Sequence, residues 1–341
     1  MDTLVTLSGL PGSPYTRKML ALLRYRRVPY SFISRNEARA RGLPEPRVPL
    51  HPTFYMPGPG GELQAVTDTS PIIRRLEAEH SGRNVIPSDP AAAFIDMLLE
   101  DYGDEWLTKA MFHYRWVRPA DITRSTDVLP LWFGYARPDE EIAEEGESFA
   151  ERQIGRLHVV GSTAETGPLI EESYERFIEV LNAHLREHPH LMGQRPGASD
   201  FAVFGQLTQL AGFDPTPMAL TLERTPRVYA WSTVVEDLSG LEPEESDWFM
   251  GRSVPVTLVD LLKEIGRTYA LVMIANARAV SEGAEQFEAS VDGKPWLQRP
   301  FPYQAKCVKW LREAYAALDP PARSAVDTVL DGTGCESLIA E

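Results

Sequence analysis

The stretch whose residue types and spacing come nearest to chemistry is Ser13-Pro14-Tyr15-Thr16-Arg17-Lys18. It follows an apolar run, Leu4 to Leu7, and the turn Ser8-Gly9-Leu10-Pro11-Gly12, and it precedes the amphipathic run Met19-Leu20-Ala21-Leu22-Leu23. That order reads as strand, glycine-rich turn, helix. Ser13 falls at the N-cap and Pro14 in the first helical turn, where proline is best tolerated. A hydroxyl, the unpaired amides of a helix N-terminus and its positive dipole end converge on one spot. Such a spot suits a phosphate, a carboxylate or a thiolate. Taken alone, the same serine is simply a helix cap.

Other groups offer chemistry further along. Asp68-Thr69 places a carboxylate beside a hydroxyl ahead of Ser70-Pro71, which repeats the cap-then-proline pattern. A helix from Ala91 to Trp116 carries Glu100, Asp101, Tyr102, Asp104, Glu105, Trp106, Lys109, Phe112, His113, Arg115 and Trp116. At i,i+4 spacing Glu105 and Lys109 attract, while Glu100 with Asp104 and Asp101 with Glu105 repel. The repelling acids ask for a cation, an arginine or solvent. A metal shared with His113 fits poorly, because about two helical turns separate His113 from Glu105. Glu77-x-x-His80 lacks a matching second motif, and His184, His188 and His190 straddle a helix end, where histidine suits the dipole. Cys307 and Cys335 form neither a metal-ligand spacing nor a disulfide framework; Cys307, on an amphipathic helix, reads as a small buried residue.

The elements that must hold these groups follow from periodicity. Leu4–Leu7 is a strand, Pro14 to about Arg26 a helix, Tyr30–Ser34 a strand and Asn36–Arg41 a weak helical turn. Thr53–Met56 and Leu63–Val66 form a hairpin around Pro57–Gly61, and a helix runs from Ile72 to about Glu79. This βαβ(α)ββα order is that of a thioredoxin-like α/β domain, spanning 1–83. After a polar linker at 84–90, the chain reads as all-α over 90–250. Arg118–Arg137 is irregular, and Glu140–Val159, Pro168–Glu187, Ser199–Gly212 and Pro226–Leu238 are helical. In Pro168–Glu187, Leu169, Tyr174, Phe177, Ile178, Leu181 and Leu185 share one face. Residues 251–341 form a mostly helical extension expected to pack on the helical domain. It has a long helix over Thr257–Ser281, a hairpin over Gln286–Gln298 turning at Asp292-Gly293, helices at Tyr303–Leu318 and Pro321–Leu330, and a loose tail from Gly332 to Cys335.

In this order the motifs resemble those of the cytosolic glutathione transferase superfamily. Ser13-Pro14-Tyr15 is similar to the active-site turn of its serine-type and omega-like classes. Val48-Pro49 resembles the valine–cis-proline pair whose backbone holds the cysteinyl unit of glutathione. Asp68-Thr69, followed by Pro71-Ile72-Ile73, resembles the acidic–Ser/Thr pair that holds the γ-glutamyl group. Gly193-Gln194-Arg195-Pro196-Gly197-Ala198-Ser199-Asp200-Phe201 resembles the buried capping motif of the helical domain, and Pro226-Arg227-Val228-Tyr229-Ala230-Trp231 a late helix. The resemblance spans about residues 1–240 and leaves the extension unmatched. Two departures stand out. Gly197 replaces the usual Ser or Thr cap, at a cost of a few tenths of a kcal/mol, and the γ-glutamyl pair is Asp-Thr rather than Glu-Ser.

The resemblance implies the glutathione transferase fold, with glutathione as co-substrate and no metal. It implies a glutathione thiolate attacking a small apolar electrophile, and a homodimer. Asp68 would meet the γ-glutamyl ammonium, Thr69 and helix amides its carboxylate, and Val48 the cysteinyl backbone if the bond to Pro49 is cis. Ser13 would donate to the thiolate, with Tyr15 as rival donor or as packing beneath the turn, and Arg17 would be paired or exposed. Tyr102 and Trp106 are candidates to line the electrophile pocket, or core. Conjugation, ether cleavage, dehalogenation and isomerisation fit equally well. A non-catalytic glutathione-binding or interaction protein with the same fold is the second reading, which the long C-terminal extension favours; an omega-type thiol oxidoreductase is opposed by serine at the cysteine position.

Composition bounds the partners. The 341 residues carry 34 basic and 49 acidic side chains, a net charge of −15, which disfavours nucleic acid and anionic membrane as main partners. Leu271–Ala275 is too short to span a bilayer. Met1-Asp2-Thr3 lacks the basic start of a signal peptide. With two cysteines, a reduced, cytoplasmic setting is the simplest expectation.

Overall fold

A computed structural model describes residues 4–249 and 254–340. The Met1-Asp2-Thr3 start and the junction expected at 250–251 lie outside the described residues. The N-terminal part is a four-stranded sheet of order β2-β1-β3-β4 with three helices. Its elements are β1 (Val5–Ser8), α1 (Pro14–Tyr25), β2 (Tyr30–Ile33), α2 (Arg35–Ala40), β3 (Thr53–Pro57), β4 (Leu63–Val66) and α3 (Thr69–Glu79). Strand β1 runs parallel to β2 and antiparallel to β3, and β3 and β4 form the expected hairpin. Thioredoxin-like topology follows. The one shift is at α3, whose cap is Asp68, so Ser70 and Pro71 lie inside the first turn.

The helical part comprises α4 (Pro90–Glu105), α5 (Leu107–Val117), α6 (Pro119–Val128), α7 (Asp139–Ile154), α8 (Gly167–His184), α9 (Ala198–Leu210), α10 (Pro215–Arg224) and α11 (Pro226–Val234). The long helix read from 91 to 116 is therefore broken at Trp106, and the irregular stretch after Arg118 holds a helix. The six apolar residues expected on one face of α8 are all buried.

Gly197 caps α9 without a hydroxyl, and the structure supplies the missing acceptor from elsewhere. Asp96 of α4 accepts from the Ser199 amide at 3.2 Å and the Ser199 hydroxyl at 2.5 Å. A Cβ at Gly197 would collide with that carboxylate. Asp200 accepts from the Gly197 amide at 2.9 Å and the Leu191 amide at 2.9 Å.

The extension holds α12 (Val256–Ile265), α13 (Leu271–Glu282), β5 (Phe287–Val291), β6 (Lys294–Gln298), α14 (Pro302–Ala316), α15 (Pro320–Leu330) and α16 (Glu336–Ile339). A π-helical turn, Gly266–Ala270, joins α12 to α13. Asp292 and Gly293 have φ of 52° and 72°, the backbone a two-residue hairpin turn requires. The extension packs on α4 and α8 and shares their core. The tail is not loose: Thr333 and Cys335 are buried, and Gly334 lies against Gly266, where a side chain on Gly266 would strike the Thr333 carbonyl. No described helix is long and apolar enough to cross a membrane.

Candidate active site

The turn before α1 is built to present Ser13. The Ser13 amide donates to the Leu10 carbonyl at 3.1 Å, which closes the turn. Gly9 leaves room for Thr16, whose side chain a Cβ would strike. The Ser13 hydroxyl oxygen caps α1 by accepting from the Thr16 amide at 3.2 Å, and its proton goes to the His51 carbonyl at 3.2 Å. The helical part fixes the turn from behind. Buried Arg115 forks onto Asp214 at 2.9 Å twice, bonds Gln209 at 2.9 Å and reaches the Gly12 carbonyl at 3.3 Å. Gln209 donates to the Pro11 carbonyl at 3.2 Å. Trp132 and Leu129 close on Gly12, and half-buried Trp132 packs on Phe213.

Several expected positions shift. The cis X–Pro bond among the described residues is His51–Pro52, directly before β3, not Val48–Pro49. Val48 is half exposed and its carbonyl accepts from the Leu50 amide at 2.8 Å, within the loop. It is His51 that abuts Ser13. Burial, with the charge of Arg35, pushes the His51 imidazole down to about 4, so it is neutral near pH 7. Tyr15 donates to the Asp104 carbonyl at 2.8 Å, so its proton is committed to α4 and not offered beside Ser13. Arg17 pairs with Glu236.

Tyr102 and Trp106 are core and not pocket, each at most 2% exposed. Tyr102 packs on Phe177 and Tyr269; Trp106 donates to Ser173 at 3.1 Å and stacks on Trp296. Trp296 and Tyr269 come from the extension, which covers the face where an electrophile pocket was expected. A cavity of about 580 Å³ lies beside the β5–β6 hairpin, with neither Ser13 nor Asp68 on its wall.

Asp68 opens α3 with φ 83°, uncommon for a residue with a side chain and a pointer to functional constraint. Its carboxylate meets the extension: Tyr303 of α14 donates to Oδ1 at 2.9 Å, and Lys306 lies 3.9 Å from Oδ2. Buried Lys18 donates to the Thr69 hydroxyl at 3.3 Å, to Glu100 at 2.8 Å and to Asp104 at 2.6 Å. Lys18 is thus the cation that the repelling acids of α4 require. The remaining pair meets neutral donors of the extension, Tyr269 on Asp101 and Gln304 on Glu105 at 3.1 Å. Burial holds Asp101 up at about 6, and burial with the Asp101 charge holds Glu105 up at about 8.

The remaining groups are structural. His113 bonds Ser162 at 2.8 Å and Glu171 at 3.0 Å, away from Glu105. Glu77 pairs with Arg26 at 2.6 Å. His184 bonds Thr257 at 3.0 Å and the His190 carbonyl at 3.0 Å. Cys307 is buried, and burial beside Asp101 keeps its thiol protonated. Among the described residues, no group of three or more His, Cys, Asp or Glu is placed to hold a metal ion.

Residues 7–84 match a family model described as the glutathione S-transferase N-terminal domain. The matched segment is the thioredoxin-like part of the chain. That domain holds Ser13, His51, Asp68 and Thr69. Three solved structures resemble about 69 to 76% of the chain more loosely. A glutathione S-transferase from Methylobacterium radiotolerans, in complex with glutathione sulfonate, is 16% identical over 74% of this chain and 98% of its own, with a TM-score of 0.41. The beta-etherase LigF from Sphingobium sp. strain SYK-6 is 17% identical over 69% and 95%, at 0.46. FzlA from C. crescentus is 17% identical over 76% and 99%, at 0.40. A comparison with curated proteins found no match.

Sequence reasoning missed Lys18, His51, Asp96, Tyr303 and Lys306. Only Lys18 left a signal, as a charge directly before the apolar run Met19–Leu23 of α1. The others act across 38 to 238 residues of chain, beyond the reach of local pattern.

Proposed function

We propose that the chain is a glutathione-dependent transferase in which Ser13 stabilises the glutathione thiolate for attack on a small apolar electrophile. The observation that carries this reading is the Ser13 hydroxyl, fixed as the cap of α1 and already donating across to the His51 carbonyl at 3.2 Å. A cysteinyl amide that donates to that carbonyl, in the role first expected of Val48, frees the Ser13 proton for sulfur. A free thiol ionises near pH 8.5, and each unit of depression corresponds to about 1.4 kcal/mol of thiolate stabilisation. The serine hydroxyl and the α1 dipole act in that direction. Asp68 supplies charge for the γ-glutamyl ammonium, and the first-turn amides of α3 supply donors for its carboxylate. Half-buried Trp132, against Gly12, offers an apolar wall for the electrophile.

Calorimetry with glutathione tests this. The wild type should bind, and Asp68→Ala should lose at least tenfold in affinity, as removal of one charged hydrogen-bond partner predicts. Absence of binding by folded wild type would sink the reading. Binding with no thiolate shift would favour a glutathione-binding protein without turnover. Ether cleavage, dehalogenation and isomerisation are separated from conjugation by a panel of electrophiles, and the homodimer is checked by light scattering.

A further inference from the structure

The residues around Asp68 come from two distant parts of the chain. Tyr303, Lys306 and Trp310 form a stripe along α14, at i, i+3 and i+7. The Lys306 ammonium sits 4.1 Å from the Trp310 ring centre and 5.5 Å from that of Tyr303, which holds it over the carboxylate of Asp68. Helix α14 is itself firmly seated. Gln304 donates to Glu105, Asn276 bonds both the amide and the carbonyl of Phe301, and Cys307, Val308 and Leu311 are buried.

Three features therefore meet at the start of α3: a carboxylate, an ammonium and the amides of a helix N-terminus. Tyr303 occupies one oxygen of Asp68. The other is 3.9 Å from Lys306, longer than a direct hydrogen bond, and half of the lysine side chain is exposed. A zwitterionic α-amino acid head matches this charge pattern, with its ammonium on Asp68 and its carboxylate on Lys306 and the α3 amides. We propose that Lys306, carried by the C-terminal extension, is a specificity-determining residue that binds the α-carboxylate of the γ-glutamyl group, and that Tyr303 is a positioning residue that aims Asp68 at the α-ammonium. This rests on the glutathione reading and names residues of this chain that complete its site. The extension then acts as part of the co-substrate pocket, not only as a cover for α4.

The test is calorimetry on the full chain with glutathione and two analogues, one lacking the γ-glutamyl α-carboxylate and one lacking the α-amino group. Lys306→Ala should bind glutathione about tenfold more weakly than wild type, in line with loss of one charged hydrogen bond. Against the analogue without the carboxylate, Lys306→Ala and wild type should be equal. Lys306→Arg should retain most of the affinity. Tyr303→Phe should weaken glutathione and leave the analogue without the amino group unaffected. Unchanged affinity in Lys306→Ala, or the same loss against both ligands, overturns the proposal. Tighter binding by Lys306→Ala overturns it too, and marks the lysine as a plug on Asp68. If wild type and variants are folded and none binds glutathione, the glutathione reading fails and takes this one with it. If wild type binds, Asp68→Ala does not and Lys306→Ala matches wild type, this inference alone fails.

Discussion

Single side chains set the position of the Ser13 turn. Arg115 is buried against Asp214 and reaches the Gly12 carbonyl, so one guanidinium ties the helical part to the turn that presents the hydroxyl. Replacing one member of a buried pair strands the other charge, at a cost of about 3–5 kcal/mol. Arg115→Met should destabilise by about that amount in urea unfolding, and adding Asp214→Leu should recover most of it. Equal destabilisation in the single and double variants would contradict the account. Ser13 was legible in the sequence as a helix cap because that grammar is local, whereas Asp68 was singled out by the family resemblance, and the local cap-then-proline pattern set the start of α3 at Ser70. The backbone partner of Ser13 was not legible. Val48-Pro49 and His51-Pro52 are both X–Pro pairs ahead of β3, and dipeptide composition does not say which one the chain brings against Ser13.

At the scale of elements, the strands and helices of the first domain were readable from period and turn chemistry, and α8 from its apolar stripe. The break at Trp106 was not, because apolar and charged residues continue through it, and the nearest glycine, Gly103, lies inside α4, packed against Ala202 and Val203 of α9. The α9 cap shows how elements compensate one another. Gly197 lacks a cap side chain, and Asp96 of α4 caps the Ser199 amide instead. Asp96→Ala leaves that buried amide unpaired, for about 1–3 kcal/mol. Gly197 has φ −94° and ψ 175°, open to serine, but its side chain would collide with Asp96. Gly197→Ser should therefore destabilise the wild type and stabilise Asp96→Ala. A double-mutant cycle on unfolding free energies measures this sign change; additive effects would refute the compensation.

At the scale of the whole molecule, the extension is welded to α4 through acids that hold protons in the folded state. Glu105, up at about 8, and Asp101, up at about 6, face Gln304 and Tyr269 of the extension, with Glu100, Asp104 and Lys18 alongside. In the unfolded chain such acids ionise near pH 4. Between about pH 4 and their raised values these two acids bind more protons in the native state than in the unfolded state, so their contribution to stability falls as pH rises. Glu105→Gln keeps the acceptor for Gln304 and removes the titration, so it should raise the unfolding temperature by several degrees at pH 8 and change it little at pH 5. A variant that tracks the wild type at both pH values would contradict the assignment. The extension's helices and hairpin were legible. Its docking on the acids and on Asp68 was not, because it depends on pairs about 170 to 240 residues apart.

Whether Ser13 stabilises a thiolate is tested most directly by an ultraviolet titration of protein-bound glutathione. If Ser13 stabilises the thiolate, the wild type ionises bound glutathione at least one unit below the free thiol value of about 8.5, and Ser13→Ala returns it toward that value with binding retained. A wild-type midpoint equal to that of free glutathione, or one unmoved by Ser13→Ala, would contradict it.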